Sequence, residues 1–415
     1  MNIYDLNKII EGNIINIYKK TYDNVQTDTR KVDSNSLLFI FKLEHDNAYK
    51  YIKNMKVKPS IIVINQDEEI IDGVSCITVE NTILSYAKLA RCNNRCLYTI
   101  MITGSVGKTI TKDLIYDILS KCYKVKKTEQ SKNNILGISE TMLSLKDEDI
   151  LVIEAGSNHI GEIDQIARIL KPNIGVITKI GTSHIGNFGN LKNIFIEKTN
   201  YSKNILTFVN GKDKYLKKLK GKNIIFVNYK NVKIKENITF KINNITYEFN
   251  SLNKDLISDV ALAINIGLLF DIPINIIKNT IKNFKFPLHR QNIYRFKNTI
   301  LIDDSYNCSY ESLIASINLI KKINKKKLLI LGDIYELGKK EKKIHKKIIK
   351  KVKKYELYTV GNKYKYKNNF KTKEELYKKL ETINFDNKVI LVKASRKMEF
   401  EKVVTFIIKL LEKDS

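Results

Sequence analysis

The sequence contains one stretch, TGSVGKT, whose residue types and spacing are those of a loop that binds phosphate groups. Gly104 and Gly107 would let the backbone turn its N–H groups toward an anion, and Lys108 would reach the terminal phosphates. The hydroxyl of Thr109 could hold Mg²⁺. Ile102 stands where the full consensus has its first glycine, so the motif alone is also compatible with an ordinary turn. An apolar run that predicts a strand precedes it and an amphipathic stretch that predicts a helix follows it, which favours a nucleotide-phosphate site.

Two further polar residues follow predicted strands. Glu154 ends the apolar run 150–153, and His184 comes shortly after the run 174–178. Ligands gather at the carboxyl ends of parallel strands, where a carboxylate is well suited to hold Mg²⁺. A surface acid and a structural histidine are the plain alternatives. The sheet edge that both would share with Lys108 favours a functional role.

The elements that position these residues belong to an α/β protein. A length of 415 residues indicates two or three domains. Strand and helix patterns alternate, which predicts largely parallel sheets. We predict a small α/β N-terminal domain over 1–96, a central P-loop parallel-sheet ATPase domain over 97–288 and a C-terminal Rossmann-like domain over 289–415. Each predicted strand of the last domain ends in polar residues, so that domain should present a polar face to a ligand.

Composition argues against several classes of protein. The formal charge is +29, but only seven residues are arginine and the lysines are scattered, so drift toward lysine explains the charge better than nucleic-acid binding, which we do not expect. The five cysteines form no metal-ligand pattern and are expected to be reduced. No run is long and apolar enough to span a bilayer, and the first 18 residues lack the apolar core of a signal peptide. We therefore expect a cytoplasmic protein without membrane insertion.

Six motifs resemble those of a known family, the ATP-dependent Mur ligases of peptidoglycan synthesis. Three lie in the central domain: TGSVGKT at 103–109, EAGSNHIGEI at 154–163 and SHIGNFG at 183–189. Three in the last domain resemble the branch of the family that adds D-alanyl-D-alanine: DDSYN at 303–307, LGDIYELG at 331–338 and VKASRKM at 392–398. The resemblance covers nearly the whole chain in order and is weakest over 1–96.

The resemblance implies a chemistry and a set of ligands. The enzyme would phosphorylate the terminal carboxylate of a UDP-muramoyl-peptide with ATP and couple it to the amine of a dipeptide. We expect the protein to be a monomer. Lys198 matches a family lysine that is often carbamylated to bind a metal, with a plain surface lysine as the alternative. Thr109 and Glu154 are the implied ligands of one Mg²⁺ and His184 is that of a second, and a carbamylated Lys198 would be a further metal ligand. The implied catalytic residues are Lys108, His184 and Lys198.

The remaining implied contacts concern nucleotide and substrate. The ATP contacts are Gly104, Ser105, Gly107, Lys108, Thr109, Arg290, Asp304 and Asn307. The substrate contacts are Thr128, Asn133 and Asn134, which match the UDP-substrate loop, and Lys393, Ser395 and Arg396, which fall on a family motif. Before the resemblance is considered, Asn133 and Asn134 are also compatible with plain turn chemistry.

The sequence departs from the family pattern at several positions. The asparagines expected before the Ala-Leu-Ala helix are replaced by Ile257 and Val260, and the glycine before the hinge arginine is His289. The Gly-His pair expected in the first domain is replaced by Asn47 and Ala48. A divergent Mur-type ligase with another acceptor or substrate, and a nucleotide-binding paralogue without ligase activity, therefore stay open as alternatives.

Overall fold

The structure is a computed structural model that describes residues 1–43, 46–129 and 132–413 of the chain. The chain divides into two compact units with boundaries that differ from the predicted domains. Unit 1 consists of Met1–Thr99, Lys126–Ala155 and Gln165–Lys171. Unit 2 consists of Ile100–Val125, Gly156–Asp164 and the chain from Pro172 onward. The domain boundaries at 96/97 and 288/289 stay predictions.

Helices and strands alternate along the chain, as the sequence predicts. The first elements are α1 Ile3–Ile10, β1 Asn13–Asn16, β2 Asn24–Gln26, β3 Ser36–Phe39, β4 Ile61–Asn65, β5 Ser75–Val79 and α2 Thr82–Asn93. There follow β6 Tyr98–Thr103, α3 Lys108–Leu119, β7 Val125–Lys127, α4 Ile135–Leu143, β8 Ile150–Glu154, α5 Glu162–Leu170, β9 Ile174–Ile177, α6 Ile185–Phe188, α7 Leu191–Thr199, β10 Leu206–Asn210, β11 Ile224–Val227, β12 Lys230–Ile234, β13 Ile238–Ile242, β14 Ile245–Phe249, α8 Ile257–Leu269 and α9 Ile274–Lys282. The last are β15 Asn292–Phe296, β16 Thr299–Asp303, α10 Tyr310–Ile320, β17 Lys326–Gly332, α11 Glu341–Val352, β18 Glu356–Val360, β19 Asn369–Phe370, α12 Lys373–Leu380, β20 Lys388–Lys393 and α13 Glu401–Lys413.

Unit 1 contains a five-stranded sheet in the order β1-β5-β4-β3-β2. Four of its strands are parallel, and β1 pairs with β5 in the antiparallel direction. Alternate residues of β3 and β4 enter two separate apolar clusters, with Leu37 and Val63 in one and Leu38 and Ile62 in the other. Because both faces of the sheet are covered, these strands are continuous apolar runs rather than alternating ones. Strands β7 and β8 are also neighbours in unit 1.

Unit 2 contains three groups of strands. Strands β11, β10, β9 and β6 lie side by side in that order and are parallel. Strands β12, β13 and β14 form an antiparallel sheet. The C-terminal sheet has the order β15-β16-β20-β17-β18-β19, in which only β15 is antiparallel to its neighbour. No helix in the described part of the chain is long and apolar enough to cross a membrane.

Asp333 ties together the loops that follow three strands of the C-terminal sheet. Its carboxylate accepts the backbone N–H groups of Asn362, at 3.0 Å, and Lys363, at 3.1 Å. Its carbonyl oxygen accepts the N–H of Ser395. Gly361 has φ +111°, and a Cβ built on it would lie 2.2 Å from the Asp333 carboxylate, so only glycine fits there. The Asp333 carboxylate thus stabilises loops at the edge of its own sheet.

Replacing Asp333 with Ala should destabilise the protein, because two partly buried hydrogen bonds from backbone N–H groups lose their acceptor. Each unsatisfied group costs about 1–3 kcal/mol, so we expect the free energy of unfolding to fall by about 2–4 kcal/mol in a chemical denaturation experiment. Asp386→Ala is the matched control, since that carboxylate is exposed and accepts one side-chain hydrogen bond, from Asn298. A loss of stability no larger than that of the control would contradict the assignment.

Candidate active site

The predicted phosphate loop lies between β6 and α3, as expected. Gly104 has φ +142° and Gly107 has φ +94°, both in the region that favours glycine. A Cβ built on Gly104 would lie 2.1 Å from the hydroxyl oxygen of Thr178. The Lys108 ammonium group donates to the carbonyl oxygen of Gly104 over 2.9 Å, which holds the side chain back along the loop. The strand, glycine turn and helix therefore have the local geometry that a phosphate loop requires.

A second loop, residues 178–186, is hydrogen-bonded to the phosphate loop; we call it the histidine loop. The Thr178 hydroxyl donates to the carbonyl oxygen of Val106 over 2.6 Å. The Ser105 N–H donates to the carbonyl oxygen of Lys179, and the Ser183 hydroxyl donates to that of Ser105. These bonds fix the position of His184 relative to the phosphate loop. The predicted proximity of His184 and Lys108 along one sheet edge thus has a structural basis within unit 2.

His184 faces a carboxylate that the sequence analysis did not assign to the site. Its Nδ1 lies 2.6 Å from Oε2 of Glu336, which follows β17. The pKa of the Glu336 carboxyl is lowered, chiefly by this interaction with His184. His184 has φ 57° and precedes the short helix α6. The only sequence signal for this pairing is that both residues lie in motifs of the same family.

Lys198 lies on α7 and is 1% exposed, which excludes the alternative of a plain surface lysine. Its ammonium nitrogen donates to the Ser157 hydroxyl over 3.0 Å. Burial lowers the pKa of Lys198 to about 7, and the nearby Lys108 lowers it further in the same direction. A substantial part of this amine is therefore uncharged near neutral pH, and only an uncharged amine can react with CO₂ to form a carbamate.

Glu197, which precedes Lys198, is a buried carboxylate that the sequence analysis overlooked. It accepts the backbone N–H of Gly161 over 2.6 Å and that of Ile163 over 2.9 Å. Both N–H groups lie at the first turn of α5, where a helix has donors without helical partners and favours a negative charge. Glu197 and Lys198 together hold the segment 157–163 against α7. An acid beside a lysine in an otherwise apolar stretch was the only available signal.

The predicted substrate loop and the predicted metal carboxylate come together within unit 1. Glu154 is 3% exposed. Its backbone N–H donates to the Thr128 hydroxyl over 2.9 Å, and its Oε1 accepts a hydrogen bond from the Asn133 amide over 3.1 Å. The Asn134 side chain accepts the N–H of Gly137 and so caps α4. Gln130 and Ser131 of the same polar stretch lie outside the described residues.

A buried acid, Asp259, packs against the phosphate loop. A Cβ built on Gly107 would lie 2.5 Å from either carboxylate oxygen of Asp259. Burial raises the pKa of Asp259 to about 7; Asp255 also raises it, whereas Lys179 opposes the shift. Asp259 lies between Ile257 and Val260, the two positions at which the sequence departs from the family pattern. Residue type alone gave no sign that this acid would be buried.

In the C-terminal part, Asp304 and Lys393 form a buried ion pair with a distance of 2.5 Å. The Ser316 hydroxyl also donates to the Asp304 carboxylate. The Lys393 ammonium group makes a further bond to the carbonyl oxygen of Asn307, whose side-chain oxygen accepts the N–H of Arg396. Four of the predicted ligand contacts are therefore bonded to one another, and their contacts to ATP or acceptor stay predictions.

The two predicted arginines flank one tyrosine ring. The guanidinium carbon of Arg290 lies 4.1 Å from the centre of the Tyr306 ring, and that of Arg396 lies 5.3 Å from it. His289 has φ 62°, so the backbone before Arg290 keeps a conformation that glycine would adopt easily. Nδ1 of His289 lies 2.7 Å from Oδ2 of the buried Asp303, and this contact holds the histidine in place. The substitution of the family glycine is thus accommodated without loss of the local geometry.

The side chain of Ser395 joins two loops of the C-terminal sheet. Its hydroxyl oxygen accepts the backbone N–H of Tyr335 over 2.9 Å, which joins the loop after β20 to the loop after β17. Ser395 is 5% exposed. The predicted role of Ser395 in substrate binding stays a prediction, and its observed role is to fix the loop that carries Glu336.

The fold and this arrangement define a class of protein. Residues 102–272 match the family model of the Mur ligase middle domain. The predicted resemblance to Mur ligases is confirmed.

The proteins that this chain matches over nearly its whole length are named as D-alanyl-D-alanine ligases. The chain is 28% identical to the UDP-N-acetylmuramoyl-tripeptide–D-alanyl-D-alanine ligase of Buchnera aphidicola, over 99% of this chain and 98% of the relative. It is 27% identical to the Bacillus subtilis protein of that name, over 98% of each chain. Among solved structures it resembles MurF from Acinetobacter baumannii, with TM-score 0.87, 22% identity and 98% of each chain covered. MurF from Thermotoga maritima in complex with ADP gives TM-score 0.87, 22% identity, and covers 94% of this chain and 98% of that one. These likenesses confirm the predicted three-domain α/β fold.

The buried Asp259 makes a prediction about pH. A pKa near 7 in the folded protein, against an ordinary value of 3.8, means that the folded state binds more protons than the unfolded state between these pH values. Stability from this group is therefore present at low pH and is lost as pH rises toward 7. Asp259→Asn removes this loss, so its stability relative to the wild type should rise between pH 4 and pH 7, by at most about 4 kcal/mol, and level off above pH 7.

Thermal and chemical denaturation at several pH values would measure this effect. Asp271→Asn, on an exposed carboxylate, is the matched control and should follow the wild-type pH curve. A difference between Asp259→Asn and wild type that stays constant with pH would contradict the prediction.

Proposed function

We propose that this protein is an ATP-dependent ligase that joins D-alanyl-D-alanine to a UDP-N-acetylmuramoyl-tripeptide in the synthesis of peptidoglycan precursors. The observation that carries the proposal is the phosphate loop with Lys108 and the hydrogen-bonded histidine loop, in a chain whose relatives with that activity match it over nearly its whole length. The reaction would form a C–N bond and release ADP and phosphate. The proposed location is the cytoplasm.

The reaction would have two steps. A carboxylate oxygen of the tripeptide attacks the γ-phosphorus of ATP, the bond to the bridging oxygen breaks, and ADP leaves. The amine of the dipeptide then attacks the carbonyl carbon of the acyl phosphate, loses a proton, and inorganic phosphate leaves. Positive charge and backbone N–H groups directed at the transferring phosphoryl group lower the barrier of the first step. Lys108 and the N–H groups at the start of α3 would supply them here.

The oxygen donors of this set suit Mg²⁺, which would neutralise charge on the phosphates of ATP. The Thr109 hydroxyl and the Glu154 carboxylate are the proposed ligands of one Mg²⁺, the His184 imidazole is that of a second, and a carbamate on Lys198 would be a further metal ligand. Within the described ranges no three His, Cys, Asp or Glu side chains form a preassembled metal cluster. That agrees with the way Mg²⁺ usually binds at phosphate-transfer sites, through one or two protein ligands together with substrate phosphates and water.

The low pKa of Lys198 supports its proposed modification. Its amine is buried, bonded to Ser157 and uncharged to a substantial extent at neutral pH. A carbamate would convert a buried cation into an anion, which suits a neighbourhood that already contains Lys108. The protein holds the Lys198 nitrogen in place through α7 and the hydrogen bond to Ser157.

The substrates would contact residues from several elements. Thr128, Asn133 and Asn134 are the proposed contacts of the UDP-muramoyl-tripeptide, and Arg290 of the nucleotide. The acceptor dipeptide would be held near Asn307 and Arg396. Arg290 and Arg396 lie near the Tyr306 ring, and Arg396 is also paired with Glu401 over 2.6 Å, so Arg290 would offer the positive charge there to an anionic group. Asp304, Lys393 and Ser395 would act mainly by fixing these loops, through the bonds already described.

A second candidate, a Mur-type ligase with another substrate or acceptor, is favoured by one observation. Ile257 and Val260 are buried and apolar at positions where the family pattern has asparagines, and Asp259 beside them is a buried acid. Adenine and substrate contacts from the start of α8 would therefore differ from those of the family. A panel of UDP-muramoyl peptides and dipeptides in a phosphate-release assay would distinguish the two candidates.

Lys108→Ala should reduce phosphate release that depends on both the tripeptide and the dipeptide by at least about 100-fold, because charge stabilisation at the γ-phosphate is lost. The fold should persist, since the side chain faces the loop rather than an apolar core. Lys121→Ala, an exposed lysine just after α3, is the matched control and should keep wild-type turnover. Near-normal turnover of Lys108→Ala at saturating ATP would contradict the proposed site.

A further inference from the structure

The histidine loop is bound to the C-terminal part of unit 2 as well as to the phosphate loop. The Glu311 carboxylate, on α10, accepts both the N–H and the hydroxyl of Thr182, over 3.0 and 2.9 Å. The Gly186 N–H donates to the carbonyl oxygen of Glu336 over 2.9 Å. The Glu336 carboxylate lies 2.6 Å from Nδ1 of His184. Two acids of the C-terminal part thus contact one short loop of the central part.

The two backbones approach so closely that side chains are excluded between them. A Cβ built on Gly186 would lie 2.8 Å from the backbone nitrogen of Gly338 and 2.9 Å from the carbonyl oxygen of Glu336. A Cβ built on Gly338 would lie 2.7 Å from Cα of Gly186. Backbone atoms cannot move aside as a flexible side chain can. Glycine at both positions is therefore required for this contact.

Both partners of the imidazole–carboxylate pair have an unusual backbone. His184 has φ 57° and Glu336 has φ 64°, a left-handed conformation that residues with a side chain rarely adopt. Such conformations persist where the surrounding structure enforces them, commonly at functional sites. Here the close contact of Gly186 with Gly338 lies two residues after His184 and Glu336 respectively. The backbone is thus arranged to bring these two side chains face to face.

We propose that Glu336 is a positioning residue for His184 in metal binding, supplied by the C-terminal part of the chain. Histidines that bind metals almost always donate their second ring N–H to a carboxylate or carbonyl group, which fixes the tautomer and the ring orientation. The Glu336 carboxylate lies 2.6 Å from Nδ1, so Nε2 is the ring nitrogen that would remain to face a metal bound with the nucleotide. The inference rests on the proposed function, because it takes His184 as a ligand of that metal.

The pairing has a consequence for domain docking. Glu336 and His184 belong to different predicted domains, so the orientation of His184 is fixed only while the two loops are in contact. The metal site would be complete in the docked arrangement and weakened in any arrangement that separates Gly186 from Gly338. Glu311 makes the same docking contact without touching His184, so docking and orientation can be tested separately.

The test is a titration of Mn²⁺, followed by electron paramagnetic resonance in the presence of ADP, on the full-length chain. Glu336→Ala removes the carboxylate but keeps the backbone bond from Gly186. It should lower Mn²⁺ affinity about 10- to 100-fold, the usual effect of losing such a partner. Glu336→Gln keeps an oxygen that accepts from Nδ1 and should restore most of the affinity. Glu356→Ala is the matched control, because it removes a carboxylate that pairs with Lys388 in the same sheet, and should stay within twofold of wild type.

Two further variants show whether Glu336 acts through His184. The double variant His184→Ala with Glu336→Ala should bind Mn²⁺ no more weakly than His184→Ala alone, because the carboxylate has no imidazole left to orient. Losses that multiply would overturn the proposal, as would an unchanged affinity in His184→Ala or in Glu336→Ala. Gly186→Ala should lower the affinity although it changes no polar side chain, and wild-type affinity in that variant would remove the link to docking.

These measurements require nucleotide and metal binding but no ligation. A wild-type protein that fails to release phosphate with any UDP-muramoyl peptide and dipeptide would refute the proposed function and would leave the Mn²⁺ result to decide the role of Glu336 separately.

Discussion

The histidine loop is the constraint on which the rest of the candidate site depends, because it is bonded on both sides. Toward the phosphate loop it is held through Thr178 and Ser183, and toward the C-terminal part through Thr182 and Gly186. A single hydrogen bond of this kind contributes only about 1 kcal/mol to stability. Several bonds on one short segment nevertheless determine its conformation, including a backbone angle at His184 that isolated chains avoid. The conformation of the histidine loop therefore depends on its contacts with two parts of unit 2, the phosphate loop and the C-terminal part.

The second theme of the structure is buried charge. Asp304 and Lys393 are buried as a pair, Glu197 receives two N–H groups, and Asp259 and Lys198 have pKa values displaced toward 7 by burial. Burying charge opposes folding unless it is paired or neutralised. The free-energy cost of burial is offset by the ion pair for Asp304 and Lys393 and by the N-terminus of α5 for Glu197. For Asp259 and Lys198 it is offset by a change in protonation. Lys198 is the one of these whose neutral form has a chemical use in the proposed reaction.

Sequence patterns predicted the fold well and the site in part. The apolar runs 150–153 and 174–178 located buried strands, because a strand covered on both faces has to be apolar throughout. Local motifs also predicted the phosphate loop, whose conformation depends on neighbouring glycines. The pairing of His184 with Glu336 and the burial of Asp259 could not be predicted, because each depends on residues far apart in sequence. Residue type gives no information about which acid will be buried beside which loop.

The lysines that give this protein its net charge are mostly exposed, and only a few lysines are buried. The net charge of +29 comes from lysines that are largely exposed, whereas the buried lysines among the described residues are Lys112, Lys198 and Lys393. Acylating reagents attack accessible amines, so they would neutralise the surface long before reaching Lys393, which is buried and paired with Asp304. The isoelectric point could consequently be lowered from about 9.6 by chemical modification or by surface substitution while the buried ion pairs remain intact. The surface charge and the buried ion pairs of this chain are in that sense independent and can be adjusted separately.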